Sequence, residues 1–464
     1  MKQKSIVFVF LLLAAVSCSK EPMQGDVPIT EEEKSSEPLL TKSAGPDVKM
    51  QLVDHAFSTT KANQILARRF QGKRIVRTQA VIEKDDTVVF VANFEDGWAI
   101  VAGDDRVRNP VLAFAAEGHF DPDHIANPEV AFWFEMAKSS ISRLSKVKDY
   151  KPARLLPPDM NEPYYWVHFH VGDFETVEAD SYVNSLLNTT WGQGSPWNTR
   201  CPSGCLTGCV AVATSQILYY LNRNRNFPIG LYHSLSPTFA PYGNGCFRIT
   251  SMTRSDFHNP STRWAAMARN KNQQMTSYVA DLMVDVGELV RMIYSSTFSA
   301  TSNLSGAFQY YGVACDSTAY NFETVKSSLD ADLPVMIGAF NNTSGHAWVV
   351  DGYKDYRMTT DCVYKWYRMA SDSLDYYVGQ YDNYCTEAQK PFVCPEAVDG
   401  EWIHNYSSQK KQYLKMNWGW DATPDAVALN GGFYSIDGLA SGDYRAWEHG
   451  FHYDAKIIHN FRHE

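Results

Sequence analysis

Beyond its first residues, this 464-residue chain has no apolar run long enough to cross a membrane as a helix. Positive charge is also scarce: 42 Lys and Arg stand against 52 Asp and Glu, a formal net charge of −10. A nucleic-acid binder needs a basic face, so no nucleic-acid partner is expected; acidity of this size bears on solubility rather than substrate. Internal repeats are not evident. The ladder Cys201-x3-Cys205-x3-Cys209 is spaced more widely than a zinc pair, and no nearby histidine completes it, so neither metal nor cofactor is expected. What the chain has in quantity is core material, 44% hydrophobic and 13% aromatic residues. At this length that implies two or three domains.

Met1-Lys2-Gln3-Lys4 is basic, and Ser5 to Ala15 is an apolar run of secretory-signal length. It ends Ala15-Val16-Ser17-Cys18-Ser19-Lys20-Glu21, which resembles a bacterial lipoprotein signal with Cys18 as the acylated residue. The resemblance implies a signal peptide over 1–18 and a lipid anchor holding an exported protein to the outer membrane or cell surface, releasable by processing. Lys20-Glu21 looks like the surface-export tag of Bacteroides-like lipoproteins. Plain secretion, with Cys18 inside a discarded peptide, is the other reading. Of nine cysteines, setting aside Cys18 and Cys209 leaves Cys201, Cys205, Cys246, Cys315, Cys362, Cys385 and Cys394. An exported protein with these residues has room for at most three disulfides, of unreadable connectivity.

Residues 19–48 are rich in Glu, Lys, Ser and Pro and read as a flexible tether. Over 49–148 a small α+β domain follows. Ala62 to Phe70 has helical spacing, Thr87 to Asn93, Gly97 to Ala102 and Pro110 to Ala115 read as strands, and Pro128 to Val147 as a helix. Residues 149–180 have boundary composition, with Lys151-Pro152, Leu156-Pro157-Pro158 and several acidic residues, and read as a linker where proteolytic nicking concentrates. The rest, 181–464, is the size of one catalytic domain. Ser277 to Ile293 is an amphipathic helix; Pro334 to Phe340, His346 to Tyr353, Gln412 to Asn417 and Gly432 to Ile436 are strands. Helix first and sheet afterwards indicates α+β architecture with a cleft. The Tyr-rich stretch from about 354 to 412 reads as a surface insertion separating two of these strands.

The chemistry concentrates in Thr207-Gly208-Cys209-Val210-Ala211-Val212-Ala213-Thr214-Ser215-Gln216-Ile217. Val210, Ala213, Ile217 and Leu221 keep helical spacing, which sets Cys209 at a helix N-terminus. Unpaired N–H groups and the helix dipole there favour the thiolate, the reactive form of cysteine. A buried packing cysteine is the plainer alternative. A thiol nucleophile needs a base, and imidazole suits neutral pH. His346 opens a buried-looking strand in Ser344-Gly345-His346-Ala347-Trp348-Val349-Val350-Asp351-Gly352, where a rigid element would hold it accurately. In Lys415-Met416-Asn417-Trp418-Gly419-Trp420, the Asn417 amide oxygen would accept from the imidazole Nδ1–H, shielded by flanking tryptophans. Trp191-Gly192-Gln193-Gly194-Ser195-Pro196-Trp197-Asn198 places a carboxamide ahead of the nucleophile. Gln193 Nε2 and the Cys209 backbone N–H would stabilise an acyl-transfer oxyanion. Gln, Cys, His, Asn is the papain order.

Together these residues resemble the streptopain-type cysteine peptidases. The resemblance rests on Gly192-Gln193-Gly194-x-Pro196-x-Asn198, Thr207-Gly208-Cys209-Val210-Ala211-x-Ala213-x-x-Gln216-Ile217, Leu282-Met283-x-Asp285-Val286-Gly287, Gly345-His346-Ala347-x-Val349-x-Asp351-Gly352 and Asn417-Trp418-Gly419-Trp420. More loosely, Phe94 to Phe120 with Asn127-Pro128 resembles the family's inhibitory prodomain. The resemblance implies an α+β, papain-like two-subdomain catalytic domain, a helical part plus an antiparallel sheet, preceded by a small α+β prodomain. It implies Cys209 as nucleophile and His346 as base, with Gln193 in the oxyanion hole and Asn417 and Trp418 supporting the imidazole. Ser299 and Gly345 would line the substrate cleft, protein or peptide would be the substrate, and the prodomain an intramolecular inhibitor. Two departures touch the cleft: the usual Trp-Gly-Gly reads Trp420-Asp421-Ala422, and the loop Ser295 to Ala300 lacks glycine and carries Phe298. Acyl transfer to an amine by the same dyad, and a surface binding protein on an inactive peptidase scaffold, are the competing functions.

Overall fold

The structure, a computed structural model, describes residues 50–52, 54–107, 109–148, 150–152, 164–258, 261–340, 345–370, 383–386, 398–421, 429–435 and 453–464. The expectations placed on 1–48, Cys18 among them, and on Cys394 lie outside these residues. Two units are distinct. One contains the antiparallel pair Met50–Leu52 and Tyr150–Pro152. The other carries everything discussed below, and its mixture of helices and antiparallel sheet is α+β. No helix among the described residues is long and apolar enough to span a membrane.

Within the larger unit the helix Cys209–Arg225 is central. Gly208 caps it with φ +95°, a left-handed value that glycine adopts without strain, and a Cβ there would sit 2.5 Å from Met292 Cε. Asn226 closes it in the αL conformation, with Arg223 and Arg225 in the last turn, where cations favour the dipole's negative end. Every residue from Val210 to Leu221 is buried, so the sequence's apolar stripe has widened to the full circumference. The sheet explains why. Along the strand that starts at Gly345, Ala347 and Val349 pack with this helix, while Trp348 and Val350 enter a second core on the opposite face. That is the two-residue period of a strand buried on both sides.

The N-terminal region shows the expected elements: helix Thr59–Arg69, strands Asp86–Phe94, Trp98–Ala102 and Val111–Ala115, and helix Pro128–Leu144. A further strand, Ile75–Glu83, forms the edge. This sheet does not stand alone. Val111–Ala115 pairs with Phe433–Ser435, through Phe114 with Phe433 and Ala113 with Tyr434, making one continuous sheet with the C-terminal strands. Asn127 caps the Pro128–Leu144 helix by accepting from Glu129 N at 3.0 Å and Val130 N at 3.2 Å. It also donates to Asn430 Oδ1 at 3.2 Å. Substituting Asn127→Ala is expected to cost roughly 1–2 kcal/mol, read as a lower urea midpoint with an unchanged slope. An unshifted midpoint would show that the cap contributes nothing.

Two expectations are corrected. Residues 164–180, read as linker, belong to a 20-residue strand, Tyr164–Val183. It pairs with the strand Gly345–Ala370 from Val183–Tyr353 to Tyr164–Ala370. The 354–412 stretch does not interrupt two short strands; it lengthens them. Gly345–Ala370 and Trp402–Asn417 stay paired from Val349–Asn417 out to Lys365–Trp402. Among the described residues, Trp166, Trp366 and Ile403 make a small cluster in the far part of this ribbon, apart from the main cores. Phe174 and Tyr406 remain 58% and 70% exposed. Val167-His168-Phe169-His170-Val171 alternates as a strand does, a signal outweighed by the proline-rich stretch before it.

Candidate active site

The helix N-terminus and the Gly345 strand bring Cys209 and His346 to one place. Both line a cavity of about 300 Å³ together with Ser299, Gly345, Val210 and Leu304. Cys209 is partly exposed there, and its sulfur lies close enough to the imidazole to favour charge on the ring. Burial holds four of the other described thiols in the protonated, less nucleophilic form. Burial, with Cys205 adding repulsion, pushes Cys201 up to about 12; burial, then Asp316, pushes Cys315 up to about 11. Cys205 and Cys362 are raised for the same first reason. These residues, with Cys209 and Cys246, stand as free thiols rather than disulfides.

The imidazole of His346 is 4% exposed and held at both nitrogens. Nε2 donates to the Trp418 carbonyl at 3.0 Å, and because a carbonyl only accepts, that nitrogen carries hydrogen. Nδ1 lies 3.3 Å from Glu129 Oε1, in the first turn of the Pro128–Leu144 helix. Burial opposes charge on the ring. The Glu129 carboxylate and then the Cys209 sulfur overcome it, and the His346 pKa is pushed up to about 9. The ring sits in an aromatic stack, 5.9 Å from Trp348 and 6.3 Å from Trp418 between centroids. Trp418 meets Tyr434 at 5.4 Å, and Tyr434 meets Trp133 of the same N-terminal helix at 5.0 Å.

Asn417 does not do what its sequence position implied. Its carboxamide is not bonded to His346; it bonds to Gln216 and to its own loop. Asn417 Nδ2 donates to Gln216 Oε1 at 3.2 Å and to the Thr189 carbonyl at 3.3 Å, while its Oδ1 accepts from Gly419 N at 3.2 Å. Gln216 is buried two helical turns beyond Cys209 and needs a polar partner, which captures the amide. Asn417 thereby braces the turn whose next carbonyl, that of Trp418, holds the imidazole. Asn430 completes the brace by accepting from Trp418 N at 3.1 Å.

Gln193 is buried, and its carbonyl accepts from Thr207 N at 3.0 Å, which anchors it beside the chain entering the Cys209 helix. Ser299 lines the cavity and donates to the Leu206 carbonyl at 2.8 Å. Gly345 contributes its backbone to the wall. The structure therefore gathers Cys209, His346, Ser299 and Gly345 at the cavity, with Trp418 behind the imidazole and Asn417 and Gln193 beside them. Three residues with evident roles were not assigned any from the sequence: Glu129, Gln216 and Asn430. Gln216 carried a signal, a glutamine on the nucleophile helix. Glu129 looked like an ordinary acidic residue in a helix's first turn.

Residues 191–427 match the Peptidase C10 family. The chain belongs to that family. Residues 49–141 match the Spi protease inhibitor family, so the C10 peptidase segment is preceded by an inhibitor-type one. Among curated relatives, the thiol protease/hemagglutinin PrtT of Porphyromonas gingivalis is 24% identical over 296 residues, 59% of this chain and 32% of that protein. The match thus spans about a third of PrtT. Streptopain of Streptococcus pyogenes is 23% identical over 57% of this chain and 68% of its own length. A solved fragment of Prevotella intermedia prointerpain A is 19% identical, covering 82% of this chain and 98% of that one with a TM-score of 0.45.

Proposed function

We propose that this C10 family member is the zymogen of an exported endopeptidase that cleaves peptide bonds through Cys209 and His346. The observation that carries this reading is the shared cavity. A helix-terminal thiol and an imidazole already committed at Nε2 meet there beside an apolar pocket. In the open enzyme, sulfur attacks the scissile carbonyl carbon and a C–S bond forms. The oxyanion takes hydrogen bonds from Gln193 Nε2 and the Cys209 N–H. His346 gives its Nδ1 proton to the amide nitrogen, the C–N bond breaks, and the amine leaves. Water, losing a proton to Nδ1, then attacks the thioester; the acid departs and the thiolate–imidazolium pair returns. The Trp418 carbonyl keeps the ring in register throughout. Val210, Ile293, Ala300 and Leu304 make the pocket suited to an apolar substrate side chain.

Latency in this reading comes from the N-terminal domain, whose Glu129 competes with Cys209 for Nδ1. Release would follow a cut between 149 and 163. The ladder beginning at Tyr164 ties up the rest of the stretch in strand hydrogen bonds, which resist proteases. A lipid on Cys18 would hold the zymogen at the outer membrane or cell surface.

The test is mass spectrometry of the chain treated with a peptidyl electrophile before and after a protease nick in 149–163. The expected result is modification of Cys209 only after the nick, together with the appearance of peptide hydrolysis. An unmodified Cys209 and no hydrolysis after the nick would leave a binding protein on a peptidase scaffold.

A further inference from the structure

We propose that Asp421 is a positioning residue for the oxyanion donor Gln193, acting through Gly192 and Trp197. The proposal rests on the dyad reading above and adds a residue to it. Asp421 stands where the sequence departs from the streptopain-type pattern, a carboxylate three residues beyond Trp418. It is 3% exposed, and a buried carboxylate persists only with partners. Its Oδ2 accepts from Trp197 Nε1 at 2.6 Å, a short charge-assisted bond. Its Oδ1 rests against Gly192: a Cβ built there would come within 2.1 Å of that oxygen. Its backbone carbonyl accepts from Lys271 Nζ at 2.6 Å.

These contacts bracket the donor. Trp191 is fully buried, and its indole donates to the Ala268 carbonyl at 2.7 Å; Trp197 is fully buried against Asp421. Between those two anchors lies Gly192, which has no side chain of its own to fix it. The Asp421 carboxylate fills that place. Gln193 is the next residue, and an oxyanion donor works only within about 0.5 Å of its productive position. Asp421 touches neither His346 nor Cys209 in any hydrogen bond or ion pair among the described residues, so its influence on chemistry runs through the 191–197 loop. One short segment, Asn417 to Asp421, thus fixes the base at Trp418 and the oxyanion loop at Asp421.

The experiment uses the nicked, active protein and three variants. Asp421→Ala is expected to lower kcat about tenfold with KM within twofold, because an oxyanion exists only after attack. Affinity for a peptide aldehyde, whose hemithioacetal places an oxyanion in the same hole, should fall by a similar factor. Alkylation of Cys209 by iodoacetamide should be unchanged, since it needs the thiolate but no oxyanion. Asp421→Asn, whose Oδ1 still accepts from the indole, should recover most of the loss. Trp197→Phe, which deletes the indole N–H together with part of the ring, covers the case in which Asp421→Ala misfolds and should reproduce its defect. In a Gln193→Ala background, Asp421→Ala should add little. An unchanged kcat and aldehyde affinity, an equal loss in alkylation, or full additivity with Gln193→Ala would each overturn the proposal. If the parent protein neither hydrolyses peptide nor binds aldehyde, the dyad reading itself fails and takes the proposal with it.

Discussion

Replacing Cys209 with alanine is expected to abolish peptide hydrolysis by the nicked enzyme, a fall in kcat of at least about 10⁴-fold. The prediction is steep because no other described cysteine lines the cavity that His346 shares, and burial raises Cys201 and Cys315 to about 12 and 11. His346→Ala should cost nearly as much, and the double variant little more, since thiol and imidazole work as one unit. Folding is a separate matter. Cys209 is partly exposed at the first position of its helix, so losing one sulfur leaves no large cavity. The alanine variant should melt within a few degrees of the parent. The paired measurement is kcat on a peptide substrate and a thermal melt. Hydrolysis surviving within tenfold of the parent would remove Cys209 from the mechanism.

The legible parts of this molecule are those in which one short segment carries its own physical signature. Gly208-Cys209 opening an apolar run is such a segment, and so are the buried strand after Gly345 and the Asn127-Pro128 helix start. The imidazole's true acceptor was not legible, because the Trp418 carbonyl is a backbone atom and every residue has one. Asn417 drew the assignment instead, yet its amide is claimed by Gln216, on a helix two hundred residues earlier in the chain. The 164–180 segment was misread because Lys151-Pro152, Leu156-Pro157-Pro158 and the acidic residues around it outweighed the alternation of Val167-His168-Phe169-His170-Val171. One signal was available and informative. Asn244-Gly245, both at positive φ, turn the hairpin Leu231–Gly243 with Cys246–His258, the two-residue turn that such a pair favours. Disulfide arithmetic set an upper bound and no more: a count limits how many bridges form and says nothing of which sulfurs meet.

Exchanging Glu129 for glutamine is expected to make the uncut protein about 30-fold more open, and to change how its stability depends on pH. His346 has a folded value of about 9 against an ordinary 6.5. A raised folded value stabilises the protonated form, so its contribution is fully present below about pH 6.5 and is lost as pH rises through about 9. The whole shift is worth about 3 kcal/mol; Glu129 comes ahead of Cys209 among the causes that raise the value, and losing one partner of such a partly buried ion pair costs roughly 2 kcal/mol. The Cys209→Ala background isolates that share by removing the sulfur. There, urea stability of the uncut protein should decline between pH 6.5 and 9 when Glu129 is present and stay nearly flat in Glu129→Gln. Hydrolysis by uncut protein with Cys209 intact should rise by the same 30-fold at pH 7, because the neutral amide no longer competes with sulfur for the charged Nδ1–H. Identical pH slopes in the two uncut proteins would mean that the 3.3 Å approach of Glu129 to Nδ1 holds nothing shut. Latency would then rest on the aromatic packing from Trp133 through Tyr434 to Trp418 and on the sheet joined at Phe114 and Phe433.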